Sequence, residues 1–357
     1  MGLMDAIRRV GAAPRRAAVP QVDVAGEKVL LVYLFPGLGD AVLLAPVVAA
    51  LLEAGAKAPI GLLLREPAAR AWKNLDLPVR IHVLPEALAA RPEPDDDEAV
   101  AERLRLAVPL EKKGYGIAVD LTARADLDAK LWLARSKAAV RLGYQGEGGP
   151  PELTWAAPDE RSQGLEHWTR YLSAPLTPCR LGPLPAEIGF KVSEAAETKA
   201  ASLWGPGPRV LLVPGSRSEA KRFDPTLFAS AGRLALGREG SVALLGAPNE
   251  RKLLAQLKLE LGGEGEIYAA KGLGPAFALV RSADVVVTND TGPMHLAYLS
   301  GRRTVAIFTK MSASCWGPMR VDPRFSTLTV PPGTEAAVRP VVERLVLERL
   351  AQHLDAL

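Results

Sequence analysis

The stretch KVLLVYLFPGLGD at residues 28–40 decides the fold class. Its apolar part, residues 28–35, is typical of a strand that is buried on both faces of a parallel sheet. Gly37 and Gly39 then allow a tight turn, and a helical pattern follows over residues 40–54. A buried strand, a glycine turn and a helix in this order predict the first part of an open α/β sheet.

The same alternation of short apolar strands and helical stretches recurs along the chain. It predicts parallel strands that are joined by crossover helices. The pattern begins anew after a proline-rich stretch at residues 173–185, so we expect two Rossmann-like domains that face each other across a cleft. In such sheets, ligands bind outside the carboxyl ends of the strands. The further predicted strands are 60–64, 81–84, 117–120, 210–213, 241–245, 285–288 and 304–308.

These patterns divide the chain into segments. We expect a basic N-terminal tail, a first α/β domain, a linker, a second α/β domain and a C-terminal helix. A proline-rich linker between two such domains is typical of multidomain proteins. In the same order, the predicted bounds are 1–24, 25–172, 173–190, 191–335 and 336–357.

Composition and charge exclude several classes of protein. Of the 357 residues, 48% are hydrophobic and 24% are charged, which is typical of a globular protein and excludes wholesale disorder. A net charge of +4 and an aromatic content of 5% do not suit a nucleic-acid binder, which carries a denser basic stripe. No stretch has the apolar core of a signal peptide or the length of a membrane span, so we expect a cytoplasmic protein. The basic tail carries Arg8, Arg9, Arg15 and Arg16. It is either a solvated tail or a peripheral contact with the cytoplasmic face of the inner membrane.

The first candidate motif consists of Gly37, Gly39 and Asp40, just after the first strand. Glycine lets the backbone turn sharply and approach a ligand closely. The residues that follow match neither the glycine fingerprint of a dinucleotide site nor a P-loop. Asp40 has two interpretations: it caps the helix that follows, or it is a general base that is aimed into the cleft.

The second candidate motif follows the strand at residues 210–213 and is basic. Ser216, Arg217 and Lys221 lie in the loop, and Arg222 leads toward a helix that begins near Pro225. Either these charges are solvated, or they bind a diphosphate with the helix N-terminus. Three cations within six positions of one another favour the diphosphate.

The third candidate motif, TNDTGPMH, spans residues 288–295 and follows an apolar strand. Asp290 or Thr291 is placed to cap the next helix, which would leave the N–H groups of Thr291 and Gly292 available to an anion. His295 falls in the first turn of that helix. It is either a packing residue or a neighbour of the bound anion.

Taken together, these motifs resemble the glycosyltransferase family that contains the ADP-heptose:lipopolysaccharide heptosyltransferases. The resemblance extends from about Lys28 to Pro318 and is most specific in the segment NDTGPMHLA, residues 289–297. It also includes residues 37–40, Pro46, Lys221, RLGY at 141–144, residues 167–172 and WGP at 316–318.

The resemblance implies a GT-B fold, with an acceptor-binding N-terminal domain and a nucleotide-sugar-binding C-terminal domain. It also implies inversion at the anomeric carbon without a metal or other cofactor. The donor is expected to be ADP-heptose and the acceptor a lipopolysaccharide-core or related envelope glycan. By position, Asp40 corresponds to the catalytic base and Lys221 to a lysine on the donor phosphates. The other positions carried over are Asp290, Thr291 and Gly292 in the donor-phosphate loop and Glu250 on the ribose hydroxyls.

The sequence departs from the family at two places. Thr309, Lys310 and Met311 stand where the family usually has Gly-Pro-Thr, and residues 120–124 follow the usual acceptor-side pattern only in part. Two alternatives stay open: a nucleotide-sugar epimerase on the same fold, and a non-catalytic homologue that binds a nucleotide-sugar. An epimerase needs further acid and base residues in the cleft, and a binder has no need of both Asp40 and Lys221.

Overall fold

The computed structural model describes residues 19–35, 37–84, 101–102, 105, 108–122, 127–145, 153–159, 167–269 and 273–357. The four arginines of the predicted tail and Arg124 lie outside the described residues. The chain forms two compact units. The first comprises Met1–Trp72 and Leu77–Pro185, and the second comprises Lys73–Asp76 and Ala186–Leu357.

The first unit is built on a six-stranded sheet in which every pairing is parallel. Its strands are β1 (Val29–Tyr33), β2 (Ile60–Arg65), β3 (Val79–Leu84), β4 (Ile117–Asp120), β5 (Val140–Tyr144) and β6 (Trp155–Ala157). The strand order is β3-β2-β1-β4-β5-β6. Its helices include α1 (Leu38–Val42), α2 (Ala45–Glu53), α3 (Glu66–Trp72), α4 (Leu127–Arg135) and α5 (Trp168–Ser173).

The second unit repeats this plan with another six-stranded parallel sheet. Its strands are β7 (Arg209–Val213), β8 (Ser241–Gly246), β9 (Glu266–Ala269), β10 (Val285–Asn289), β11 (Arg303–Phe308) and β12 (Phe325–Thr329). The order β12-β11-β10-β7-β8-β9 is the order of the first sheet written from the other edge. The helices include α6 (Glu194–Ala201), α7 (Pro225–Leu236), α8 (Arg251–Glu260), α9 (Leu273–Ser282), α10 (Gly292–Leu299), α11 (Ala313–Trp316) and α12 (Glu335–Asp355).

The shared strand order defines both units as Rossmann-like and confirms the predicted α/β fold class. In each sheet, the order in which strands are added reverses between two neighbouring central strands. These are β1 and β4 in the first unit and β7 and β10 in the second. All residues of β1 and β10 are buried, as the apolar runs predict for central strands. A ligand of such a sheet is expected at this reversal, outside the carboxyl ends of the central strands.

The helix expected over residues 40–54 is two helices, α1 and α2. The prediction of one continuous helix was wrong because Pro46 has no N–H to donate to the carbonyl oxygen of Val42, four residues earlier. Pro46 instead lies at the beginning of α2, where no intrahelical partner for that N–H is needed. The N-cap of α1 is Gly37, and Asp40 is the third residue of this short helix.

Candidate functional site

In the second unit, parallel pairing brings the two C-terminal motifs together. Val213 at the end of β7 pairs with Thr288 in β10, and both strands lead into polar loops at the same sheet edge. The loop after β7 carries Ser216, Arg217 and Lys221, whereas the loop after β10 carries Asp290 and Thr291. These residues are therefore neighbours in space although they are distant in sequence.

Lys221 and Asp290 form an ion pair at this edge, with 2.7 Å between Nζ and Oδ2. The Asp290 side chain is 2% exposed and the Lys221 side chain 28%. A buried carboxylate needs a counter-charge, which Lys221 supplies while part of its side chain stays accessible. The Asp290 backbone is fixed as well, because its N–H donates to the Ile307 carbonyl oxygen at 3.1 Å. Asp290 thus neutralises and orients the lysine.

The beginning of α10 offers backbone donors beside this ion pair. Thr291 occupies the N-cap position without a side-chain capping bond, and Pro293 follows in the first turn. Within the part of the chain that the structure describes, the N–H groups of Thr291 and Gly292 donate to no acceptor. His295 is buried in the first turn, with its ring centroid 6.5 Å from that of Trp316. A helix N-terminus with available N–H groups is suited to bind an anion.

Asn289 holds the basic loop at both of its ends. Its Nδ2 donates to the Pro214 carbonyl oxygen at 2.8 Å, and its Oδ1 accepts from the Phe223 N–H at 3.1 Å. Asn289 is fully buried at the end of β10. The third candidate motif contains Asn289, but no role was predicted for it, because the sequence does not show which distant backbone groups its amide reaches.

Glu250 follows β8, the strand next to β7, and lies in a 3₁₀ turn (Pro248–Glu250) at the same carboxyl edge of the sheet. Its Oε2 accepts from the Ala247 N–H at 2.8 Å, and its Oε1 is 3.4 Å from Arg222 Nη2. The carboxyl group packs against Gly215, where an added Cβ would come within 2.3 Å of it. Arg222 also donates from Nε to the Ser216 carbonyl oxygen at 2.9 Å. Arg222 is therefore occupied by Glu250 and the loop backbone, whereas Arg217 is exposed.

The first unit also carries polar side chains at its reversal point. Arg65, at the end of β2, donates from Nε to the Leu34 carbonyl oxygen at 3.1 Å. Its Nη2 is 3.7 Å from Oδ2 of the buried Asp128, and buried Asp120 ends β4 beside β1. Gly37, Gly39 and Asp40 lie in the segment that follows β1 at this same edge. Sequence reasoning did not single out Arg65 or Asp128.

Among the residues that the structure describes, no group of three or more His, Cys, Asp or Glu side chains is placed to hold a metal ion. Of the helices found there, none is both long enough and apolar enough to cross a membrane.

Two Rossmann-like units, the second with charged groups at its reversal point, form the two halves expected of a GT-B fold. The sequence comparison agrees, since residues 103–335 match the profile of glycosyltransferase family 9 (heptosyltransferase). The chain belongs to this family. The matched range contains Lys221, Glu250 and Asp290, whereas Asp40 precedes it. No curated protein matches the sequence significantly.

Solved structures with the same fold cover nearly the whole chain. A family 9 glycosyltransferase from Veillonella parvula has 15% sequence identity and a TM-score of 0.76, over 94% of this chain and 99% of that one. The E. coli ADP-heptose lipopolysaccharide heptosyltransferase II has 20% identity and a TM-score of 0.70, over 92% and 98%. E. coli heptosyltransferase WaaC with ADP has 16% identity and a TM-score of 0.64, over 89% and 99%. These likenesses show the GT-B fold, and family membership makes the chain a glycosyltransferase.

Proposed function

We propose that this glycosyltransferase moves a heptose from ADP-heptose to a lipopolysaccharide-core or related envelope glycan, with inversion and without a metal ion. The observation that carries the proposal is the Lys221–Asp290 ion pair beside the available N–H groups of Thr291 and Gly292. A lysine and a helix N-terminus at one sheet edge suit the diphosphate of a sugar nucleotide. Solved relatives of the same fold contain ADP and ADP-2-deoxy-2-fluoro heptose, which supports the choice of donor.

The leaving group gains negative charge as the glycosidic bond of the donor breaks. Lys221 and the N–H groups of Thr291 and Gly292 would stabilise this charge, because fixed donors stabilise developing charge most effectively. Ser216, Arg217 and His295 complete the proposed phosphate subsite. Asp290 acts in this proposal through Lys221, since a buried carboxylate repels a phosphate and attracts the ammonium group.

The acceptor side of the reaction needs a base. In the proposed single displacement, the acceptor oxygen bonds to the anomeric carbon while the bond from that carbon to the diphosphate oxygen breaks. Asp40 takes the proton of the acceptor hydroxyl, and Gly37 and Gly39 let the backbone of the acceptor-side loop approach the substrate closely. ADP then leaves with the electron pair of the broken bond.

The nucleoside is the third part of the proposal. Glu250 would accept hydrogen bonds from the ribose hydroxyl groups, because its carboxylate lies at the edge of the same sheet as the phosphate subsite. Arg222 and the Ala247 N–H already hold this carboxylate. Its free lone pairs would therefore meet the ribose in a fixed direction.

We further propose that the enzyme works in the cytoplasm, in peripheral contact with the inner membrane.

Turnover of purified protein tests the proposal. ADP-heptose and a heptose-free core acceptor should give ADP and a glycan with inverted anomeric configuration, and UDP- and GDP-sugars should give far less. Lys221→Gln should lower the rate, because the amide brings no positive charge to the diphosphate. The control is Lys199→Gln, on the exposed face of α6. Epimerised donor without glycan product, or an unaltered rate for Lys221→Gln, would contradict the proposal.

A further inference from the structure

Thr309 is a buried hydroxyl residue directly after β11. Its Oγ1 donates to the Ala220 carbonyl oxygen at 2.8 Å. Ala220 is the middle residue of the 3₁₀ turn (Glu219–Lys221) that presents Lys221. This bond therefore attaches the lysine-bearing turn to the end of β11.

The turn has few other attachments to the sheet. Its backbone bonds are local: Lys221 N–H donates to the Ser218 carbonyl oxygen at 3.0 Å, and Arg222 N–H to that of Glu219 at 2.9 Å. Asn289 holds the loop further out, at Pro214 and Phe223. Between these two anchors, Glu219 and Ala220 are exposed. The Thr309 hydroxyl thus fixes the most exposed part of the loop to the end of β11.

We propose that Thr309 is a positioning residue for the donor diphosphate and acts through the turn that carries Lys221. The inference rests on the proposed role of Lys221 in phosphate binding. A fixed turn holds the ammonium group where the leaving phosphate will be and reduces the entropy that the lysine loses on binding. Removal of the hydroxyl leaves the Ala220 carbonyl to water and loosens the turn, while the fold of the sheet is retained.

The test is a double-mutant cycle of Thr309→Val with Lys221→Gln in the full chain. ADP affinity is measured by calorimetry, and kcat is measured with ADP-heptose. Thr309→Val should weaken ADP binding by about fivefold and lower kcat by a similar factor, as expected for one lost hydrogen bond. Thr309→Ser should restore both values. In the Lys221→Gln background, Thr309→Val should have almost no further effect, because the two residues act as one unit.

Thr304→Val is a matched control. Thr304 is equally buried and also donates to a backbone carbonyl, that of Arg302, at 2.8 Å, but it lies at the beginning of β11, whereas Thr309 follows its end. Its substitution should leave ADP affinity unchanged. Amide exchange supplies a readout that does not depend on function: Thr309→Val, and not Thr304→Val, should speed exchange at Lys221 and Arg222.

The outcomes separate this inference from the proposed function. Suppose that Lys221→Gln weakens ADP binding and that Thr309→Val weakens it by about a further fivefold in the Lys221→Gln background. Thr309 then does not act through the lysine, and the inference is overturned. Unchanged amide exchange in Thr309→Val overturns it as well. If Lys221→Gln leaves ADP affinity and kcat unaltered while Thr309→Val speeds exchange, the hydroxyl fixes the turn but the phosphate role of Lys221 fails.

Discussion

Substitution of Asn289 by alanine should destabilise the second unit and disorder the basic loop at residues 214–223. The amide joins Pro214 to Phe223 through two hydrogen bonds and is fully buried. In Asn289→Ala, the carbonyl of Pro214 and the N–H of Phe223 both lose their partner, and both residues are buried. A buried polar group left without a partner costs about 1–3 kcal/mol. The two together predict a loss of about 2–6 kcal/mol in the free energy of unfolding.

Guanidinium unfolding followed by far-UV circular dichroism measures this loss, provided that the transition of the second unit is resolved. Amide exchange at Phe223 gives a local readout, because this N–H is released directly by the substitution. ADP affinity should fall in parallel, since the loop that carries Lys221 loses both ends of its attachment.

Asn249→Ala is the matched control, because Asn249 is exposed in the 3₁₀ turn after β8. It should change stability by less than about 0.5 kcal/mol. Asn289 does not hold the loop if Asn289→Ala lowers the free energy of unfolding by no more than the control does, or if amide exchange at Phe223 is unaltered.

Three further predictions concern the reaction and the core. Asp40→Asn should abolish transfer and leave ADP affinity unchanged, because an amide has the size of the carboxylate but cannot take the proton of the acceptor hydroxyl; near-normal turnover would show that Asp40 is not the base. Excess EDTA should leave turnover intact, because Lys221 and helix N–H groups take the place of a cation; loss that magnesium or manganese restores would disprove metal independence. Tyr298→Phe should keep or slightly raise stability, as measured by thermal unfolding, because the Tyr298 hydroxyl is buried with no partner among the described residues. Burial raises the pKa of this hydroxyl, as does the nearby charge of Asp290, so it stays neutral at all pH values used in the assay.

Hydrophobic patterning predicted the central strands of both sheets. Strands β1 and β10 are continuous apolar runs because both faces are covered by protein. Strands β5, β6, β9 and β12 were missed, and none of the four is buried along its whole length. A short strand at or near the edge of a sheet needs no continuous apolar run, so its sequence carries little signal.

The positions of the site residues were predictable, but their partners were not. A motif that follows a buried strand lies at the carboxyl edge of a parallel sheet, which is why Ser216, Lys221 and Asp290 could be chosen from sequence. Which side chain pairs with which depends on strand order, since β7 and β10 are adjacent only in the folded sheet. No role was predicted for Asn289 or Thr309 for the same reason. Each bonds to a backbone group in a loop that is distant in sequence.

The charge balance of the site differs from the one that the sequence suggests. Arg217, Lys221 and Arg222 together predict a strongly positive loop, but Lys221 is paired with Asp290 and Arg222 with Glu250. Of these three cations, Arg217 alone forms no ion pair with a described residue. A nearly neutral cluster attracts a ground-state diphosphate only moderately, whereas its fixed donors interact more strongly as charge accumulates on the leaving oxygen. Interactions that strengthen toward the transition state raise kcat instead of merely tightening substrate binding. The carboxylates beside the basic loop fix the cations in place and weaken their attraction for the ground-state diphosphate. Both effects are consistent with the proposed catalysis of diphosphate departure.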